Sequence, residues 1–80
     1  MKNYYHILGL SFESSPEKEL IDAAFKALVK IYHPDVFKGD KKSRDREITE
    51  INEAYEILND SEKKKKYDEK LSNFHNKSFF

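Results

Sequence analysis

The tripeptide His33-Pro34-Asp35 places an imidazole and a carboxylate on either side of a rigid proline. A histidine beside a carboxylate is a common pair in general acid–base and nucleophilic catalysis. Such catalysis also needs a nucleophile and donors for the developing charge, and the sequence has no serine placed for activation and no glycine-rich loop. A chain of 80 residues also leaves little room for a concave pocket. We therefore expect no enzymatic activity from this chain itself.

A metal site is not expected either. The chain has no cysteine, which also excludes disulfides, and its three histidines, His6, His33 and His75, are scattered. No two of them stand four residues apart, the spacing that puts two ligands on one helix face. We predict no metal and no other cofactor.

The tripeptide has a steric meaning that does not depend on catalysis. Proline cannot sit inside a helix and disfavours helical backbone in the residue before it, so a helix ends at about Tyr32 or His33. Asp35 then faces outward at a corner, where its carboxylate can accept a bidentate hydrogen bond from a partner's arginine. The plain alternative is that Pro34 only stops the helix and Asp35 is an ordinary loop residue. The local sequence leaves both interpretations open.

The charges balance, with 15 basic and 15 acidic residues, so nothing draws the whole chain toward nucleic acid or a membrane. The loop after the corner is too long for a helix-turn-helix, and the following helix is acidic. No apolar run approaches the roughly 18 residues of a membrane span, and Met1-Lys2-Asn3 leads into no signal-peptide segment. We expect no nucleic-acid binding, no membrane segment and a cytoplasmic location by default. Whether residues 1–80 are a whole protein stays open.

Helical periodicity dominates the chain and predicts an all-α fold. Four helices are predicted, at about 4–8, 16–32, 43–59 and 62–72. The first has Asn3 as N-cap and Gly9 after its end, and the second has Ser15 as cap with Pro16 in its first turn. The predicted buried stripes are Ile21, Ala24, Leu28 and Ile31, widened by Leu20 and Ala27, in the second helix, and Ile48, Ile51, Tyr55 and Leu58, with Ala54 alongside, in the third.

The connections complete this arrangement. A loop of about ten residues between the long helices favours an antiparallel pair. We expect Val36 or Phe37 to turn from this loop toward the core. The stretch 73–80 has no pattern and is predicted to be frayed. The domain is placed at 1–70, with 71–80 as a tail or the start of a linker.

Basic residues recur on the second helix and in the loop that follows it. They are Lys18, Lys26, Lys30, Lys38, Lys41 and Lys42. Lysines spaced along one face suit steering toward an acidic partner surface. Asp35 is an isolated acid among them.

In order and spacing, these blocks resemble the J-domain of the DnaJ co-chaperones from Asn3 to about Asp68. The similar blocks are Tyr4-Tyr5-His6-Ile7-Leu8-Gly9-Leu10, Ser15-Pro16-Glu17, Ala24-Phe25-Lys26, Tyr32-His33-Pro34-Asp35, Ile51-Asn52-Glu53-Ala54-Tyr55-Glu56-Ile57-Leu58 with Asp60, and Tyr67-Asp68. The resemblance implies a four-helix J-domain arrangement. It also implies binding to the ATP-bound form of a DnaK-type seventy-kilodalton heat-shock chaperone and stimulation of its ATP hydrolysis, which captures client polypeptides indirectly.

The resemblance also implies roles for particular residues. Asp35 would pair with an arginine of the chaperone's interdomain switch, and His33 and Pro34 would fix its presentation. Lys26 and Lys30 would be docking charges, and Phe25 would be an aromatic contact beside them.

Several positions depart from the family pattern. Asp22 and Ala27 stand where basic residues are frequent, which weakens the positive face and leaves its affinity open. The other departures are Phe25 for tyrosine, Lys64 for arginine and Ile48 for phenylalanine. The alternative hypothesis is a J-like helical module that binds a partner without activating an ATPase, but the intact residues His33, Pro34 and Asp35 favour the co-chaperone.

Overall fold

The chain was analysed as a computed structural model that describes residues 2–77, with side chains as far as Phe74. Over these residues the regular structure is entirely helical, which confirms the all-α prediction. The elements are α1 (Tyr4–Ile7), a 3-10 turn (Phe12–Ser14), α2 (Lys18–Ile31), α3 (Lys41–Asn59) and α4 (Ser61–Lys77). None of the described helices is both long and apolar enough to cross a membrane.

Helix α1 forms as its sequence predicts. The Asn3 side chain accepts a hydrogen bond from the backbone N–H of His6 at 3.1 Å and caps the first turn. Gly9 follows the helix with φ +74°, the left-handed conformation that favours glycine. Tyr5 and Leu8, three residues apart, are both buried, so one face of this short helix is docked on the core.

The predicted start of α2 is wrong. Helix α2 begins at Lys18, and Glu17 in extended backbone occupies the N-cap position without a side-chain cap. The 3-10 turn closes first, with the Ser15 N–H donating to the Phe12 carbonyl at 3.0 Å, and leaves Ser15 left-handed at φ 48°. Pro16 is buried in the passage between the turn and the helix rather than in the first helical turn. Because the 3-10 turn precedes it, α2 begins later in the sequence than predicted.

The buried stripe of α2 is narrower than predicted. Ile21 is fully buried, and Ala24, Phe25, Leu28 and Tyr32 are partly buried against the core. Leu20, Ala27 and Ile31 lie exposed, Ile31 at 54%. At 3.6 residues per turn, Leu28 lies within roughly 20° of Ile21 around the helix, whereas Leu20, Ala27 and Ile31 lie roughly 80–120° away. The side chains of these three residues therefore point away from the core.

Helix α3 begins two residues earlier than predicted. The Asp40 side chain accepts a hydrogen bond from the Ser43 N–H at 3.1 Å, so the cap is Asp40 and not a residue near Ser43. Ile51, Ala54 and Leu58 are buried, and Ile48 and Tyr55 are partly buried, so the predicted stripe is confirmed in α3. Asp22 near the start of α2 meets Tyr55 near the end of α3, as an antiparallel pair requires.

Helix α4 is longer than predicted. It begins after Asp60, whose side chain accepts from the N–H groups of Glu62 and Lys63 at 3.0 and 3.1 Å. These backbone hydrogen bonds lower the pKa of the Asp60 carboxyl. The helix continues through Lys77 into the stretch expected to be frayed, while residues 78–80 lie outside the described part. Tyr67 and Leu71, one turn apart, are buried and dock the helix on the core.

Candidate partner-binding surface

The corner after α2 is a tight turn. Helix α2 ends at Ile31 with Tyr32 as its C-cap, close to the predicted end, and the Tyr32 N–H donates to the Leu28 carbonyl at 3.0 Å. The carbonyl of His33 then accepts from the N–H groups of both Val36 and Phe37 at 2.9 Å. Two backbone bonds on one carbonyl fold the chain around Pro34 and Asp35. The steric prediction of a helix stop at the proline is confirmed.

Phe37 anchors this turn. Its ring centroid lies 5.3 Å from that of Tyr32, which packs against the core. The Phe37 ring also covers Gly39, where an added Cβ would lie 2.5 Å from Phe37 Cζ. A side chain at position 39 would therefore require the Phe37 ring to shift. Phe37 is therefore the loop residue that turns inward, while Val36 is exposed.

His33 and Asp35 contact each other through the backbone. The Asp35 N–H donates to His33 Nδ1 at 3.2 Å, so this nitrogen carries a lone pair and the ring proton sits on Nε2. The Asp35 Oδ2 atom is 3.7 Å from the same nitrogen. The Asp35 side chain is 89% exposed, and no described lysine or arginine lies within ion-pair distance of it. The turn thus presents an open carboxylate.

Lys26 and Lys30 share a surface with this corner. Together with His33 they border a shallow groove of about 460 Å³, whose other walls are Ala27, Val29 and Val36. Both lysines are exposed, and neither forms an ion pair within the described part of the chain. Three of the six predicted site residues, Lys26, Lys30 and His33, therefore line one groove, and Asp35 contacts His33 beside it, with Pro34 in the turn between them. We call this the signature surface.

Phe25, the sixth predicted residue, has a different environment. It is partly buried, and its ring stacks on that of Tyr55 at 3.9 Å and 8°. The Tyr55 hydroxyl donates to Asp22 at 2.8 Å, and this hydrogen bond raises the pKa of Tyr55. Phe25 and the divergent Asp22 both serve the α2–α3 interface. A partner contact through Phe25 stays a prediction.

A second polar cluster joins α1 to α4. The Tyr67 hydroxyl donates to the Lys2 carbonyl at 2.6 Å and accepts from the Tyr4 N–H at 2.9 Å. The Tyr5 hydroxyl donates to Asp68 at 2.5 Å. We call this group the tyrosine clasp. The centroid of the Tyr67 ring lies 4.8 Å from that of Tyr4 and 6.2 Å from that of Tyr5. Sequence reasoning missed it, since its partners stand more than 60 residues apart along the chain.

Lys64 contributes to the clasp. Its ammonium group pairs with Asp68 at 2.9 Å and lies 5.8 Å from the centre of the Tyr5 ring. Burial raises the pKa of the Tyr5 hydroxyl, and the hydrogen bond to Asp68 adds to this shift. Burial likewise raises the pKa of Tyr67. The departure from arginine at position 64 therefore leaves a working ion pair within α4.

Comparison with known proteins connects these features. The family model described as DnaJ domain matches residues 3–68. The chain belongs to the DnaJ domain family. The matched range of this J-domain contains both the signature surface and the tyrosine clasp.

Relatives agree with this assignment. The J-domain is 46% identical over 68 residues to a protein named Chaperone protein DnaJ from Caldicellulosiruptor saccharolyticus, covering 85% of this chain and 17% of the relative. The same name belongs to relatives from Ureaplasma parvum, 47% identical over 68 residues (85% and 17%), and Hydrogenobacter thermophilus, 42% identical over 79 residues (99% and 21%). The chain thus spans about a fifth of the length of these relatives.

Proposed function

We propose that this J-domain is a co-chaperone module that binds a DnaK-type seventy-kilodalton heat-shock chaperone and stimulates its ATP hydrolysis. Client polypeptides are then captured by the chaperone and not by this chain. The observation that supports the proposal most directly is the open carboxylate of Asp35, held on a hydrogen-bonded turn beside exposed lysines. Family membership supplies the class of partner.

The signature surface can act in two steps. Lys26 and Lys30, exposed and without ion-pair partners among the described residues, attract an acidic face of the chaperone and orient the encounter. Asp35 then accepts hydrogen bonds from an arginine of the partner, an interaction stronger than a neutral hydrogen bond.

Stimulation follows only if this pairing differs between the partner's conformations. A ligand shifts a two-state equilibrium by the difference in its affinity for the two states. If the arginine is accessible to Asp35 only in the hydrolysis-competent conformation, binding raises the population of that conformation. In this mechanism the J-domain takes no part in the bond-breaking step.

A single-turnover ATPase assay tests the proposal. We expect the J-domain to accelerate ATP hydrolysis by a DnaK-type chaperone, and Asp35→Asn to reduce that acceleration about tenfold or more, because it removes the charge from the pair. Asp40→Asn is the matched control: it makes the same chemical change in the same loop, and asparagine caps α3 as well as aspartate does.

Two results would overturn the proposal. One is no acceleration by the wild-type chain. The other is equal loss from Asp35→Asn and Asp40→Asn, which would show a general effect of charge. Retained binding with no acceleration would favour the alternative of a J-like interaction module, to which the interruption of the basic face by Asp22 and Ala27 points.

A further inference from the structure

A second basic surface lies beside the tyrosine clasp and shares no lining residue with the groove of the signature surface. Lys63, Lys66 and Lys70 of α4 form one wall of a groove of about 390 Å³, and Lys2 stands on another side. The three α4 lysines are spaced by three and four residues, so they share one helix face. We call this the clasp groove.

The clasp groove has an apolar floor. Tyr4, Ile57 and Tyr67 line it between the lysines. The hydrogen bonds of the Tyr67 hydroxyl to the Lys2 carbonyl and the Tyr4 N–H fix the Tyr67 ring, and the Tyr4 ring packs against it with centroids 4.8 Å apart. The floor is therefore held in place before any ligand arrives, which reduces the entropy cost of binding.

Two of the four lysines already have acidic neighbours. Lys2 pairs with Glu53 at 3.0 Å and Lys63 with Glu56 at 3.3 Å, both on exposed surface. Lys66 and Lys70 form no ion pair within the described residues. The groove thus offers two uncompensated ammonium groups beside a rigid apolar patch.

We propose that the clasp groove binds a short acidic peptide segment, with its carboxylates on Lys66 and Lys70 and one apolar side chain on the Tyr4–Ile57–Tyr67 floor. The volume suits one or two side chains. Charge complementarity sets the sign of the ligand, and the floor sets its need for an apolar residue. The site is independent of the signature surface and of the proposed function.

The neighbouring acids favour a peptide over larger polyanions. Glu53 and Glu56 border the lysines and would face the phosphates of a nucleic acid or the headgroups of an anionic membrane. A continuous polyanion cannot avoid these carboxylates, and the chain's zero net charge gives it no wider attraction. A short peptide can place its charges on the open lysines alone.

The test is an NMR titration of the full chain with a blocked pentapeptide that carries one phenylalanine between two pairs of glutamates. We expect amide shifts centred on Ile57, Lys66, Tyr67 and Lys70. Lys66→Glu should weaken binding about fivefold to tenfold, because it reverses a contact charge. Replacing the peptide's phenylalanine by alanine should weaken binding about fivefold, because the floor loses its apolar ligand.

Lys65→Glu is the matched control, since it makes the same charge reversal one residue away, outside the clasp groove. It should change the affinity by less than about twofold. Equal weakening by Lys65→Glu and Lys66→Glu would overturn the proposal, as would equal binding of the alanine peptide. Shifts at the groove with duplex DNA or phosphatidylserine vesicles, in the absence of shifts with the pentapeptide, would also overturn it.

Discussion

Two aspartates show how differently this J-domain uses the same side chain. The Asp68 carboxylate accepts a hydrogen bond from Tyr5 and forms an ion pair with Lys64, and its side chain is 26% exposed. The Asp35 carboxylate lies 3.7 Å from the Nδ1 atom of His33, and its side chain is 89% exposed. The first carboxylate is satisfied within the fold, whereas the second keeps its acceptor capacity for another molecule. The contacts that stabilise the fold and the proposed recognition site therefore lie in different regions.

The largest expected effect comes from the centre of the tyrosine clasp. Tyr67→Ala removes a buried ring and both hydrogen bonds of its hydroxyl, and we expect it to lower the free energy of unfolding by about 3–5 kcal/mol. Urea unfolding followed by circular dichroism measures this. Tyr67→Phe keeps the ring and should cost about 1–2 kcal/mol. Equal losses for the two variants would show that ring packing contributes little.

The link between Tyr5 and Asp68 gives the next largest effect. Tyr5→Phe keeps the buried ring but removes a hydrogen bond to a charged group, and we expect a loss of about 1–2 kcal/mol in the same unfolding experiment. Tyr55→Phe is the comparison, because its hydroxyl also donates to an aspartate, in this case Asp22. A larger loss of unfolding free energy from Tyr55→Phe would show that the more stabilising of the two hydrogen bonds lies at the α2–α3 interface and not in the clasp.

Alkaline pH should weaken the contribution of the Tyr5 hydroxyl to stability. The pKa of Tyr5 in the folded chain is raised above its ordinary value of 10.0, so the unfolded chain releases this proton first. The free energy of unfolding is therefore unaffected by this group below about pH 10 and falls as the pH rises further. Unfolding midpoints measured between about pH 9 and 11 should fall less steeply for Tyr5→Phe than for wild type. Parallel pH curves for Tyr5→Phe and wild type would contradict the raised pKa of Tyr5.

The smallest effect on stability is expected at the corner. Asp35→Asn should change the free energy of unfolding by less than about 0.5 kcal/mol, because the side chain is exposed and the turn is held by backbone bonds. Asp68→Asn, measured in parallel, should cost more, since it weakens the contacts to both Tyr5 and Lys64. Similar losses of unfolding free energy for the two variants would contradict the view that Asp68 stabilises the fold and Asp35 does not.

Much of the fold could be predicted from local signals in the sequence. Asn3 and Gly9 bound α1 as predicted, because capping and a left-handed glycine act within a few residues. The corner at Pro34 follows from the missing N–H of proline alone. Asp40 could have been recognised as the α3 cap, since aspartate ahead of a helical run is a strong N-cap signal.

The remaining features depend on contacts that no local pattern encodes. The Asp22–Tyr55 hydrogen bond and the tyrosine clasp join residues 33 to 65 positions apart. The exposure of Ile31 depends on which angular sector of α2 meets α3, which an apolar residue type does not determine. For the signature surface, sequence predicted the corner and the lysines, but the partial burial of Phe25 against Tyr55 required the folded chain.

The sequence separation within the tyrosine clasp has a consequence for the order of folding. The backbone groups of Lys2 and Tyr4 find their hydroxyl partner 65 and 63 residues later, on Tyr67. During synthesis, α2 and α3 leave the ribosome and can pair while these groups still lack that partner. Closing the clasp is a late, long-range event that carries the loop-closure entropy of nearly the whole domain. The clasp hydrogen bonds of Lys2 and Tyr4 therefore form only after α4 has been synthesised, whereas the packing of α1 on α3 does not depend on α4.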